Sequence, residues 1–214
     1  MELYLDPNDF EGVAHAVHDL CIDIGKVCGC KLTVSKNRRS NILIGTLGHS
    51  QEIDHLIGGK ALGLEGKREK YIICTIGDRL VIAGSDRRGT IYGVYELSRQ
   101  IGVSPWYYWA DVPIERHAHI YIHRGIYTDG EPVVRYRGIF LNDEAPCLTT
   151  WVTHTFHTKY GEHQFYEKVF DLILRLKGNF LWPAMWNYAF YADDPETSRL
   201  ADKMGIIIGT SHHE

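Results

Sequence analysis

Two hydrophobic rhythms alternate along the chain, and the changes between them mark out its elements. Phe10, Val13, Ala14, Val17, Leu20 and Ile24 recur at helical spacing and give one apolar face. Asn8 and Glu11, just ahead of this run, have the form of a capping box and set its expected start. Residues 31–35 and 41–45 read as short strands, and 50–57 as a short helix. Runs 71–76 and 80–83 flank Gly77-Asp78-Arg79, which predicts a hairpin with a three-residue loop. A second helix is expected over about 88–101, with Ile91, Val94, Tyr95 and Leu97 inward and Gly102 past its end. Residues 1–120 therefore read as a small α/β domain.

Residues 121–135 carry prolines, histidines and the turn cluster Tyr127-Thr128-Asp129-Gly130-Glu131-Pro132, and are expected to be a linker. From residue 136 the pattern becomes strand, helix, strand, helix, strand. Residues 136–141 form the first strand. A helix over 165–177 carries Phe165, Val169, Leu172, Ile173 and Leu176 on one face and stops at Gly178-Asn179. Strand 180–184, helix 195–204 and the β-branched strand 206–209 follow. The expected fold class is α/β: a small N-terminal α/β domain, then the first three βα units of an incomplete (β/α)₈ barrel over 136–214. A complete barrel typically takes about 250 residues and carries its chemistry at strand C-termini. The chain is expected to be the front portion of a longer enzyme.

Composition narrows the class without naming it. The chain has 214 residues, 44% apolar and 23% charged, which is ordinary for a globular protein. A formal net charge of −4 without a Lys/Arg block argues against nucleic acid and anionic membranes as partners. The Met1–Leu5 start lacks the basic and apolar runs of a signal peptide, and no stretch reaches the ~20 apolar residues of a membrane span. Cys21, Cys28, Cys30, Cys74 and Cys147 are odd in number and irregularly spaced, so they are not a disulfide framework. Cys28-Gly29-Cys30 is one residue short of the usual CxxC pattern, and the cysteines read as idle or buried thiols.

Candidate chemistry collects at the strand ends. Asn142-Asp143-Glu144 places two carboxylates beside an amide, a set able to hold a water or act as general acid or base. In extended chain Asn142 and Glu144 point one way and Asp143 the other, so they need not share a role. A solvated acidic turn is the plainer alternative. Trp182 and Trp186 follow the second strand, and indole rings stack well on sugar faces. Trp182, inside the strand, reads as a core residue, and Trp186, beyond it, as a ligand contact. His212 and His213 end the third strand, where they suit a sugar hydroxyl, a carboxylate or a metal. His154, His157 and His163 are expected in the loop after the first strand. Residues 84–90 form a strand-to-helix turn without the lysine and spacing of a phosphate loop, and read as structural.

Three long motifs in order resemble glycoside hydrolase family 115, the xylan α-glucuronidases. They are Arg137-Gly138-Ile139-Phe140-Leu141-Asn142-Asp143-Glu144, Leu181-Trp182-Pro183-Ala184-Met185-Trp186 and Gly209-Thr210-Ser211-His212-His213-Glu214. The likeness continues through Leu174-Arg175-Leu176-Lys177-Gly178-Asn179, and in the first domain through residues 86–98. The resemblance implies removal of glucuronic acid or its 4-O-methyl ether from xylan side chains with inversion, no cofactor, no metal, and a parent homodimer. It also implies an extracellular setting. Carried over by position, Asn142, Asp143, Trp186 and His212 lie around the uronic acid, with Asp143 the catalytic candidate; Glu144, Trp182 and His213 are added as substrate-binding candidates from their own place at the strand ends. The general acid and the cations that recognise the uronate are expected on later strands, and these residues alone are expected to be inactive. The alternatives are a non-catalytic carbohydrate-binding or structural remnant, and a metal-dependent hydrolase using the histidines.

Overall fold

The computed structural model describes residues 1–57, 62–183 and 188–209. The chain divides into two compact units, Met1–Val133 and Val134–Glu214.

The first unit holds β1 (Glu2–Leu5), α1 (Glu11–Cys28), β2 (Thr33–Ser35), β3 (Ile42–Thr46), α2 (Gln51–Ile57), β4 (Tyr71–Ile76), β5 (Arg79–Gly84), α3 (Arg87–Gln100) and β6 (Ile126–Tyr127). The strands form one sheet in the order β2-β1-β3-β5-β4-β6. β2, β1, β3 and β5 run parallel, and β4 is antiparallel to both β5 and β6. Alternate positions serve opposite faces. Tyr4, Leu43, Ile72, Cys74, Val81 and Ala83 meet Ile53 and Ile57 of α2 on one face. On the other, a Cβ at Gly93 would press on Ile82 and Tyr71, so α3 lies close against the sheet there.

Several local expectations change. The capping box at Asn8 does not form: Phe10 occupies the N-cap with no side-chain hydrogen bond. Asp6 instead accepts from the Asn8 N–H at 3.0 Å. β1 gave no sequence signal because four residues are too few for a periodicity. The hairpin loop has two residues, since Ile76 pairs with Arg79, and Gly77 takes the positive φ of 63° that the turn needs. The turn before α3 is structural, as read: Asp86 accepts from the Gly89 N–H at 2.8 Å. Gly84 has no room for a side chain there, because a Cβ would meet the Thr90 nitrogen at 2.0 Å. Within 121–135, expected as a linker, Ile126–Tyr127 pairs with β4 as an edge strand. Arg68 fixes the following residues, its backbone N–H donating to Glu131 Oε1 and its guanidinium to the Pro132 carbonyl, each at 3.0 Å.

The second unit holds β7 (Gly138–Leu141), α4 (Leu148–Phe156), α5 (His163–Arg175), β8 (Phe180–Pro183), α6 (Pro195–Met204) and β9 (Ile207–Ile208). Its strands form a parallel sheet, β7-β8-β9, with helices in the connections. Asn179 sets this register. Its Oδ1 accepts from the Arg137 N–H at 2.9 Å and its Nδ2 donates to the Arg135 carbonyl at 2.8 Å, while the residue is 1% exposed. Gly138 lets β7 and β8 close, since a Cβ there would lie 1.8 Å from the Phe180 carbonyl oxygen. α5 buries Phe165, Val169, Leu172 and Ile173 as the helical spacing requires. Leu176, expected on the same face, is the C-cap and is exposed.

Candidate functional site

The strand-end carboxylates sit where β7 gives way to irregular chain. Asn142 and Glu144 are exposed and Asp143 is 1% exposed, the split that backbone alternation produces. The Glu144 N–H donates to Asn142 Oδ1 at 3.3 Å, which curls the backbone just past the strand. Thr149, in the first turn of α4, donates its hydroxyl to the Asp143 carbonyl and ties this bend to the helix. Tyr160, 1% exposed, has its phenol pKa pushed far up, by burial first, then by the neighbouring Tyr166 and the charge of Asp143. Its ring lies 5.5 Å from that of Phe165 and 5.1 Å from that of Tyr188. Asp143 thus has a buried, neutral phenol close enough to feel its charge.

Trp182 corrects the sequence reading. It is 44% exposed, not core, and meets Phe140 edge-to-face at 5.6 Å. The two residues are register partners on β7 and β8 and share a face that leaves both rings partly bare. Pairing across the strands explains this: Leu181, the preceding residue, takes the buried position. Trp186, His212 and His213 lie outside the described residues.

The histidines expected in one loop are distributed over two helices. His154 lies in α4, His157 caps it with φ 56°, and His163 opens α5. α4 reads as loop in the sequence because four of its nine residues are Thr, which has low helical propensity. His163 has a defined partner: Asp194 Oδ2 lies 2.7 Å from its Nδ1 and accepts its backbone N–H at 2.9 Å. Asp194 also caps α6 through the Glu196 N–H at 3.0 Å. Burial pushes the Asp194 carboxyl up, and the hydrogen bonds from His163 and Glu196 outweigh it and hold the group below the ordinary range. Among the described residues no group of three or more His, Cys, Asp or Glu side chains is arranged to hold a metal ion. None of their helices is long and apolar enough to cross a membrane.

Residues missed by sequence reasoning are Thr149 and Tyr160, which contact or sense Asp143, and Phe140, the partner of Trp182. Only Phe140 had a usable signal, its even spacing from Asn142 along the strand.

Parallel strands, helical connections and a carboxylate at a strand end are features of the glycoside hydrolases, and comparison with known proteins agrees. Residues 129–214 match glycosyl hydrolase family 115, and residues 8–97 match the glycosyl hydrolase family 67 N-terminus. The chain thus resembles the α-glucuronidases of glycoside hydrolase family 115. A family 115 4-O-methyl-α-glucuronidase with specificity for decorated arabinogalactans shares 32% identity and a TM-score of 0.90, over 99% of this chain and 28% of that one. This chain therefore spans little more than a quarter of that protein's length. A family 138 enzyme targeting pectin rhamnogalacturonan II is similar over 98% of this chain and 24% of its own, with 16% identity and a TM-score of 0.56. A Streptomyces plicatus β-hexosaminidase gives 15% identity and a TM-score of 0.62, over 98% of this chain and 40% of its own. The last two likenesses concern the fold alone. No curated protein matches the chain.

Proposed function

We propose that residues 1–214 are the front portion of an inverting α-glucuronidase that removes (4-O-methyl)glucuronic acid from xylan-type side chains. In this reading residues 1–120 form an accessory domain, 121–135 join the two parts, and the β7-β8-β9 sheet is the first three βα units of a (β/α)₈ barrel. The 32% identity to a 4-O-methyl-α-glucuronidase over almost the whole chain carries the proposal. That relative's specificity for decorated arabinogalactans makes an arabinogalactan-borne uronate a second substrate to test.

Inversion requires a carboxylic acid on the leaving oxygen and a carboxylate that activates water, roughly 6.5–9.5 Å apart. Asp143 supplies one of the pair. Its burial excludes bulk water, and the Thr149 bond fixes the backbone that carries it. Asn142, Glu144 and Trp182 project from the same strand ends to meet the sugar, with Trp186, His212 and His213 continuing the set. The second carboxylate and the uronate-binding cations belong to the part of the enzyme these residues do not span, so residues 1–214 alone are inactive.

The test is uronate release from 4-O-methylglucuronoxylan and from glucuronidated arabinogalactan. It compares residues 1–214 with the longest native polypeptide containing them, and with its Asp143→Asn form. Release by the long form, lost about 10²–10⁴-fold in Asp143→Asn, is expected. Release by residues 1–214 alone, or full activity of Asp143→Asn, would overturn the reading.

One observation favours a second reading. The exposed Phe140–Trp182 pair can stack on sugar without any hydrolysis. Saturable glucuronoxylan binding by residues 1–214, lost in Trp182→Ala, with no uronate released by any form, would support a carbohydrate-binding remnant.

A further inference from the structure

Cys28 is the last residue of α1, and Gly29 caps the helix in the left-handed conformation with φ 71°. That cap folds the chain so that Cys30 returns over the helix end. The Cys30 N–H donates to Cys28 Sγ at 3.3 Å, and the Cys30 thiol to the Cys28 carbonyl at 3.7 Å. The Cys28 thiol in turn donates to the Ile24 carbonyl at 3.2 Å. Two trans peptides hold the two Cα atoms within about 7.6 Å even when fully extended. The left-handed bend shortens that span toward the separation a disulfide bridges. Cys30 is exposed and Cys28 half-buried, so a small reagent reaches the outer sulfur first.

We propose that Cys28 and Cys30 form a redox-active dithiol that closes to an intramolecular disulfide by exchange with a small-molecule disulfide. The Cys30 thiolate attacks one sulfur of the reagent, forming a mixed disulfide and releasing one small thiol. The Cys28 sulfur then attacks Cys30 Sγ, the mixed bond breaks, and a second small thiol leaves. Two protein thiols are oxidised and one reagent disulfide is reduced to two thiols, which take up the two protons released. Exchange needs the thiolate. The Cys30 thiol is pushed up first by its hydrogen bond with the Cys28 thiol, so closure accelerates as pH rises through the thiol range. The disulfide covers the end of a helix that packs on α3, and so fixes the C-terminus of α1.

The test is incubation of the whole chain with graded mixtures of oxidised and reduced glutathione, acid quenching, alkylation, and mass analysis of intact protein and peptides. The peptide holding Cys28 and Cys30 is expected to lose two hydrogens with no adduct. Cys147, the other exposed cysteine, is expected to carry glutathione and serves as the comparison. Cys28→Ser is expected to trap a stable glutathione adduct on Cys30. A persistent adduct on wild-type Cys30, or a reduced Cys28/Cys30 pair under conditions that modify Cys147, would overturn the proposal.

Discussion

A neighbouring helix holds the backbone of Asp143. The Thr149 hydroxyl donates to the Asp143 carbonyl, and that bond links the strand end to a helix whose Val152 is fully buried. Under the proposed activity, Thr149→Val in the longer polypeptide is expected to lower kcat about 5-fold with little change in KM, as the loss of one hydrogen bond of about 1 kcal/mol predicts. Thr149→Ser, which keeps the hydroxyl, is expected to restore it. Equal activity of all three forms would show that the bond does not position Asp143. A second residue-scale prediction concerns Asp194. Its folded carboxyl is held below the ordinary range, so its contribution is full above the unfolded pKa and is lost as pH falls through the lower folded value. Asp194→Asn keeps an equally good N-cap residue but loses the charge on the bonds from His163 and Glu196, and is therefore expected to be less stable than wild type near neutrality by about 1 kcal/mol. The two denaturation curves should converge once pH falls below the lowered folded value. Curves that stay parallel as pH falls through that value would contradict it. At this scale the sequence showed that Asp143 sits at a strand end and faces away from Asn142 and Glu144. It did not show what encloses Asp143. Thr149 and Tyr160 reach it only through α4 and the turn after it, elements their own sequence does not announce.

Elements were legible where the apolar pattern was long, as in α1, α3 and α5, and where a proline and a glycine framed the helix, as in α6. They were not where the decision is made by a partner strand or a packed helix. β1 forms because β2 and β3 pair on both its sides, and α4 because Val152 and Phe156 pack toward α5. The same logic gives two glycines and an asparagine different weights. Gly138→Ala drives a methyl into the Phe180 carbonyl and is expected to prevent the β7–β8 pairing, at a cost above about 4 kcal/mol. Asn179→Ala leaves the Arg137 N–H and the Arg135 carbonyl without the amide they bond, and is expected to cost about 2–4 kcal/mol. Gly66→Ala, at φ 70° with no atom within 4 Å of the added Cβ, is expected to cost about 1 kcal/mol from backbone strain alone. Urea denaturation followed by circular dichroism ranks the three. A Gly138→Ala protein as stable as Gly66→Ala would show that the sheet register is not set there.

At the scale of the whole chain, the second unit carries an unusual surface. Parallel sheets normally have both faces covered. Here Leu181 and Pro183 are buried on one face, while Phe140 is 58% and Trp182 44% exposed on the other. The family likeness gives this surface a reason, because a closing barrel would turn that face inward and cover it with further strands. Without such cover the rings should find another partner, and the nearest one in solution is a second copy of the same chain. Residues 1–214 are therefore expected to associate as concentration rises, with sedimentation velocity showing a shift from monomer to larger species. Removing the two rings should weaken that association, since burying each is worth roughly 1.5–3 kcal/mol. Phe140→Ser combined with Trp182→Ser is expected to raise the dissociation constant at least about 10-fold, with helix content unchanged. In the longer native polypeptide the same pair of changes should destabilise the fold instead of altering association, because there Phe140 would be core and Trp182 would line the sugar site. A monomeric wild-type chain at all concentrations would show that this face needs no cover. A long form indifferent to both substitutions would show that no barrel closes over it.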